Sequence, residues 1–170
     1  MRIARRLPPA LASAAASLIV GSCAPRNPPR LADLCGGANA EARVVAVVDQ
    51  VRGPGGPALA GLEGTRFELR FEFSPPTAVA DANATAGKDC DGATGSASFT
   101  RDIPAAIRAA TSSASVASWR IQGDTVLLDL NPRVRDSNVF FSLPLDGGRG
   151  HWGLSTFAGE VAGGHTEPAP

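Results

Sequence analysis

The chain predicts an all-β fold: an antiparallel sandwich or small barrel of about seven strands, with at most one short helix. Three observations carry this. Several short runs alternate apolar and polar residues, the period of a half-buried strand. The runs are separated by turns rich in Gly and Pro, which number 19 and 14 in 170 residues and punctuate strands at short intervals. Apolar residues make up 44% and charged residues 19%, a balance that suits a globular chain with one core.

Taken in order, residues 44–48 form a continuous run, Val-Val-Ala-Val-Val, expected as a strand buried on both faces or central in its sheet. A long loop follows over 53–64, with Pro54, Gly55, Gly56 and Pro57. Residues 67–73 are the clearest strand. Phe67, Leu69, Phe71 and Phe73 alternate with Glu68, Arg70 and Glu72, so one face is apolar and the other wet. Residues 77–98 are rich in Ala, Gly and Asp and read as a second long loop. The one helical stretch is 103–110, with Asp102 as its cap, Pro104 in its first turn, and Ile103, Ile107 and Ala110 on one face.

The second half repeats the strand theme. Over 115–121, Ala117, Trp119 and Ile121 share a face; Gly123-Asp124 then forms a two-residue hairpin turn into 125–130, which Asn131-Pro132 ends. Residues 138–145 bring Val139, Phe141 and Leu143 into register. Asp146-Gly147-Gly148 turns the chain into 150–157, with Trp152, Leu154 and Thr156 on one face. Beyond 160 the chain is polar, with Gly163, Gly164 and Pro168, and reads as a disordered tail over 161–170.

The first residues read as an address. Arg2, Arg5 and Arg6 precede a small-residue apolar run over 11–20, and Gly21-Ser22-Cys23 follows. A basic head, a short apolar core and a small-residue exit are the parts of a secretory signal, here 1–22. The core is too short to cross a bilayer, which takes ~20 apolar residues. Val20-Gly21-Ser22-Cys23 resembles a bacterial lipobox, from which it departs by Val at the first place and Ser before the Cys. The resemblance implies a lipoprotein: Cys23 takes a diacylglycerol, becomes the first residue of the mature chain and is acylated on its amine, with palmitate as the type of acyl group. Ala24, where Asp would retain a lipoprotein in the inner membrane, implies the outer membrane, facing the periplasm or the cell surface. Residues 23–32 then form a lipid-anchored tether, with three Pro between 24 and 30, and 33–160 form the β domain. The membrane, through the anchor, and an envelope protein are the expected partners.

A second resemblance covers residues 42–81. The Val-rich strand, the Gly-rich loop, Gly64-Thr65-Arg66-Phe67, the strand ending Phe73-Ser74-Pro75, and Ala80-Asp81 resemble secreted bacterial β-sandwich proteins that carry exosortase sorting signals, with an echo near 136–160. It implies the fold and no activity. The sorting tail has no counterpart in His165-Thr166-Glu167-Pro168-Ala169-Pro170.

The charge is zero, with 16 basic and 16 acidic side chains, which argues against a nucleic acid partner. Cleavage before Cys23 removes Arg2, Arg5 and Arg6 and leaves 13 basic against 16 acidic, net −3. If Cys23 is lipidated, Cys35 and Cys90 remain, and a pair in an oxidising compartment is expected to bridge.

Little in the sequence points to catalysis. His151 and His165 are the only two histidines: the first alternates away from Trp152 toward solvent, the second falls in the tail. Ser155, in Gly153-Leu154-Ser155-Thr156-Phe157, lacks the second Gly of a nucleophile elbow and falls in a strand. Asp81, Asn83, Asp89 and Asp91 offer oxygen ligands at alternate places, a weak Ca²⁺ candidate that departs from the EF-hand loop at Ala86 and Gly92. Trp119, Phe141 and Trp152 are candidates to line an apolar ligand pocket. The expectation is therefore a lipid-anchored envelope protein without a cofactor or catalytic residues, serving as a structural, accessory or partner-binding module. The alternatives are a lipocalin-like binder of a small apolar ligand, and a small hydrolase using His151 or the Asp89/Asp91 pair.

Overall fold

The computed structural model describes residues 30–52, 59–77, 90–100, 102–109, 116–132 and 137–170. The signal segment and Cys23 lie outside the described residues. The described residues form nine strands: β1 (Ala40–Val47), β2 (Gln50–Val51), β3 (Arg66–Phe73), β4 (Thr94–Phe99), β5 (Val116–Gln122), β6 (Thr125–Asp129), β7 (Ser137–Pro144), β8 (Gly150–Thr156) and β9 (Gly159–Pro168). Every pairing is antiparallel, and the strands lie in the order β1-β3-β4-β5-β6-β7-β8-β9-β2.

The all-β expectation holds, and the sheet closes. β9 returns to β1 with Val44 opposite Pro168 and Ala46 opposite Thr166. Eight strands thus form a barrel, and β2 extends the seam, with Gln50 opposite Gly163. A sandwich would leave free edges; closure pairs them.

Alternation along each strand fills the inside. Phe67, Leu69, Phe71 and Phe73 from β3 point inward, as do Ala117, Trp119 and Ile121 from β5 and Val139, Phe141 and Leu143 from β7. Their rings touch. Phe67 meets Trp152 edge-on with centroids 5.2 Å apart, and Phe71 meets Phe141 at the same separation. Both ends are plugged. A 3₁₀ turn, Leu31–Gly36, seals one end with Leu34 fully buried. Helix α1 (Ala105–Arg108) seals the other with Ile107.

Several expectations need correcting. Residues 161–170 are not a disordered tail: most belong to β9, where they gain β1, β2 and β8 as partners. The loop expected over 77–98 ends in β4, whose small residues carry little hydrophobic signal. They are small because Trp119 lies against them: a Cβ on Gly95 would stand 2.6 Å from the indole. Of the two places expected for residues 44–48 the structure takes the central one, between β3 and β9; burial on both faces does not hold, since Val45 and Val47 face outward and are only half-buried. Leu31, within the stretch expected as tether, is already buried against the core. Asp102 does not cap α1; Pro104 occupies the cap position with no side-chain hydrogen bond. The helix itself is a single turn, within the one or two turns its sequence suggests. The Gly123-Asp124 hairpin turn forms as expected, with Gly123 at φ 61°, the backbone a glycine-first turn requires.

Candidate functional site

Cys35 and Cys90 are bonded, with Cα atoms 5.0 Å apart. The bridge ties the 3₁₀ plug to the connection entering β4. One residue on, the Asp91 carboxylate accepts the Gly123 N–H at 3.0 Å. Asp91 thus serves the β5–β6 turn, while its proposed Ca²⁺ partners Asp81, Asn83 and Asp89 lie outside the described residues. Among the described residues, no three His, Cys, Asp or Glu side chains are grouped to hold a metal ion.

Trp119, Phe141 and Trp152 do come together inside the barrel, but as core. They are 2%, 1% and 0% exposed. Side chains that a water molecule can scarcely touch leave no ligand-sized void between them. Phe141 and Trp152 stack with centroids 6.4 Å apart. Both indole N–H groups are satisfied: Trp119 donates to the Ser96 carbonyl at 3.0 Å and Trp152 to the Val47 carbonyl at 2.8 Å. The expected pocket between these rings is closed.

The histidines sit on the outer wall, directly opposite each other in the β8–β9 ladder. His151 is exposed, with Nε2 3.7 Å from Glu160. His165 is held on three sides. Its backbone N–H donates to Asp49 at 3.0 Å, Nδ1 lies 2.7 Å from the same carboxylate oxygen, and Nε2 lies 3.2 Å from Glu167. Glu167 also accepts from Arg66. An Asp–His pair is the orienting half of a general base. Here the second ring nitrogen meets another carboxylate, and Ser155 stands opposite Asn138 and Glu160 rather than beside a histidine. The cluster locks the seam where β9 meets the start of β2, and the sequence hid it because residue 49 and residue 165 are distant in the chain.

This seam is expected to respond to acid. The His165 hydrogen bond holds the Asp49 carboxyl below its ordinary value of 3.8, and Arg66 followed by His165 does the same for Glu167, against 4.5. A depressed carboxylate stabilises the fold above its unfolded pKa and loses that contribution as pH falls through its folded pKa. The melting temperature is therefore expected to hold from neutral pH to the ordinary carboxylate range and to fall below it. In an Asp49→Asn, Glu167→Gln double variant the acid-induced fall should be smaller; an equal fall would assign it to other groups.

Several hollows mark the surface of the described residues. A cleft of about 550 Å³ opens at the end plugged by the 3₁₀ turn, beside Leu31 and between Val44 and Leu143, with Arg43 and Asp146 on its rim. Glu41 on that rim is already engaged, by Arg70 through two 2.9 Å contacts and by Arg43 through one; Arg70, then Arg43, keep its carboxyl below the usual value. A trough of about 680 Å³ crosses the outer wall over β4 to β7. Searches for similar proteins found no match to any protein-family model, curated protein or solved structure.

Proposed function

We propose that this chain is a lipid-anchored cell-envelope protein, held at the outer membrane through Cys23, whose barrel is a non-enzymatic accessory module that meets an envelope partner on its outside. The observation that carries this reading is the Cys35–Cys90 bridge. A disulfide of this kind belongs to an oxidising compartment, which agrees with the export reading of residues 1–22. It also occupies both cysteines of the barrel, so Cys23, at the lipobox position, is the only one left. The closed interior supports recognition on the outer surface.

The test is the intact mass of the protein extracted from washed membranes, with and without reduction before thiol alkylation. A chain beginning at Cys23 with added acyl mass, and two thiols alkylated only after reduction, is expected. An unacylated chain beginning elsewhere would overturn the anchor. The second reading is a binder of a small apolar ligand. It is supported by the eight-stranded closure, the architecture of small ligand-carrying barrels. With Trp119, Phe141 and Trp152 packed against one another, its ligand would sit in the cleft between Leu31 and Leu143.

A further inference from the structure

The Cys35–Cys90 bridge has one exposed end and one covered end. Cys90 is half-buried and packs against the hydrophobic core, and its carbonyl accepts the Ala93 N–H at 3.1 Å. Cys35 is exposed and lies outside that core. It belongs to the 3₁₀ turn that points Leu31 and Leu34 inward. Around it, Ala32, Asp33, Gly36, Gly37 and Ala38 are exposed as well. A Cβ placed on Gly36 or Gly37 would meet no described atom within 4 Å. The flank of Cys35 is therefore open to a reagent arriving from water.

Disulfides that serve only as staples resist exchange, whereas exposed ones are the labile ones. This bridge also latches a small element. The plug is six residues long, and Leu31 and Leu34 are its buried side chains. Past Gly37, at φ 75°, two residues lead into β1. Leu31 also lines the cleft together with Val44 and Leu143. Once the bridge is broken, the packing of Leu31 and Leu34 is left to hold the plug at the mouth of that cleft.

We propose that Cys35 is a thiol–disulfide exchange site, that its co-reactant is the dithiol of a thiol–disulfide oxidoreductase acting on the folded barrel, and that exchange unlatches the plug. A thiolate of the dithiol attacks the Cys35 Sγ. A new sulfur–sulfur bond forms there as the Cys35–Cys90 bond breaks. The electron pair leaves with the Cys90 Sγ, which takes up a proton from water. The second thiol of the dithiol, once deprotonated, attacks its own neighbour's sulfur in the mixed disulfide and releases Cys35 as a thiolate, which is protonated in turn. The bridge is thereby reduced to two thiols and the dithiol oxidised to a disulfide. Attack at Cys35 puts the incoming sulfur on the open side and the leaving sulfur on the side packed against the core. The inference concerns the bridge in the folded state and stands whether or not Cys23 carries lipid.

The experiment follows reduction of the full chain by dithiothreitol, in detergent if acylated and with free thiols alkylated beforehand. The folded protein is expected to lose the bridge within about tenfold of the rate found for the urea-unfolded chain, since an exposed bond needs no unfolding. Urea below the unfolding transition should leave the rate level. A slower rate than that, or one that climbs with urea along the unfolding equilibrium, overturns the proposal; reduction through global unfolding would be at least about a thousandfold slower. Reaction with glutathione, trapped early by alkylation, should leave glutathione on Cys35 and the alkyl group on Cys90. The reverse assignment also overturns it. Gly36→Lys and Gly36→Glu place a charge on the open flank. At low salt they should speed and slow the anionic thiolate about threefold, the effect of one unit charge at ~7 Å in water. A rate that neither variant moves would count against attack at Cys35. In the reduced protein, amides over 31–36 should exchange faster while β5 to β7 keep their protection; unchanged exchange over 31–36 would refute the latch.

Discussion

Truncating Trp152 to alanine is expected to destabilise the barrel by about 3–5 kcal/mol, the range for removing a fully buried large aromatic. The indole is 0% exposed and packs edge-on against Phe67 from β3 and stacked against Phe141 from β7. Its loss therefore opens a void that strands on opposite sides of the ring cannot close without distorting the sheet. It also strips the Val47 carbonyl of its 2.8 Å donor at the end of β1. Trp152→Phe separates these effects. It restores most of the apolar volume but not the N–H, and should cost about 1–3 kcal/mol, the penalty for an unpaired buried carbonyl. Urea unfolding measures both, as a lower midpoint at an unchanged slope. A loss under about 1 kcal/mol for the alanine variant would contradict a filled interior, since even the mildest large-to-small core changes cost about that.

Removing the disulfide is the second large effect. The bond closes a loop of 55 residues in the unfolded chain. Chain-entropy arithmetic puts its contribution at about 4 kcal/mol, an upper value for a chain whose unfolded state keeps some order. A Cys35→Ser, Cys90→Ser variant is expected to melt roughly 8–15 °C lower, at ~2–4 °C per kcal/mol for a chain of this size. The loss has a local side as well. Without the bridge, the 3₁₀ plug that carries Leu31 and Leu34 is held only by packing, so amide exchange should rise there before it rises in β5 to β7. Adding reductant to the unmodified protein should reproduce the lower melting temperature. An unchanged melting temperature would mean that the plug and the β4 entry are ordered without the bond.

Legibility in the sequence followed side-chain size. β3, β5, β7 and β8 could be read because large apolar residues alternate with polar ones, as in Phe67 to Phe73. β4 and β9 could not, for the same packing reason seen from the other side. Trp119 needs the room that Gly95 leaves, and the chain at Val47 and Asp49 needs the room that Gly164 leaves, where a Cβ would lie 2.0 Å from the Val47 carbonyl oxygen. A strand that accommodates its neighbours' bulk carries the composition of a loop. Barrel closure was equally hidden, because it depends on β1 finding β9 and on Asp49 meeting His165. Local periodicity carries no information about contacts of that span. The bridge was legible from cysteine count and the expected compartment, whereas the outer trough was not. Ser118, Arg120 and Asn138 are ordinary solvent-face residues until the barrel brings their strands side by side.

The β1–β9 seam also decides how the molecule can fail. All neighbouring pairs from β3 to β9 follow one another along the chain and can zip as hairpins, but β1 must wait for the last strand. A chain threaded across a membrane from its first residue would emerge with β1 presenting an open backbone edge while β9 is still in transit. During that interval the β9 of another copy is chemically as good a partner as its own. The outcome of such an exchange is a pair of barrels, each completed by the other's final strand, with every core contact preserved and only the ownership of β9 changed. Were the chain exported as proposed, crowding would favour interlinked dimers over misfolded monomers, and the charged clasp of His165, Asp49, Glu167 and Arg66 would close those dimers as readily as it closes the monomer.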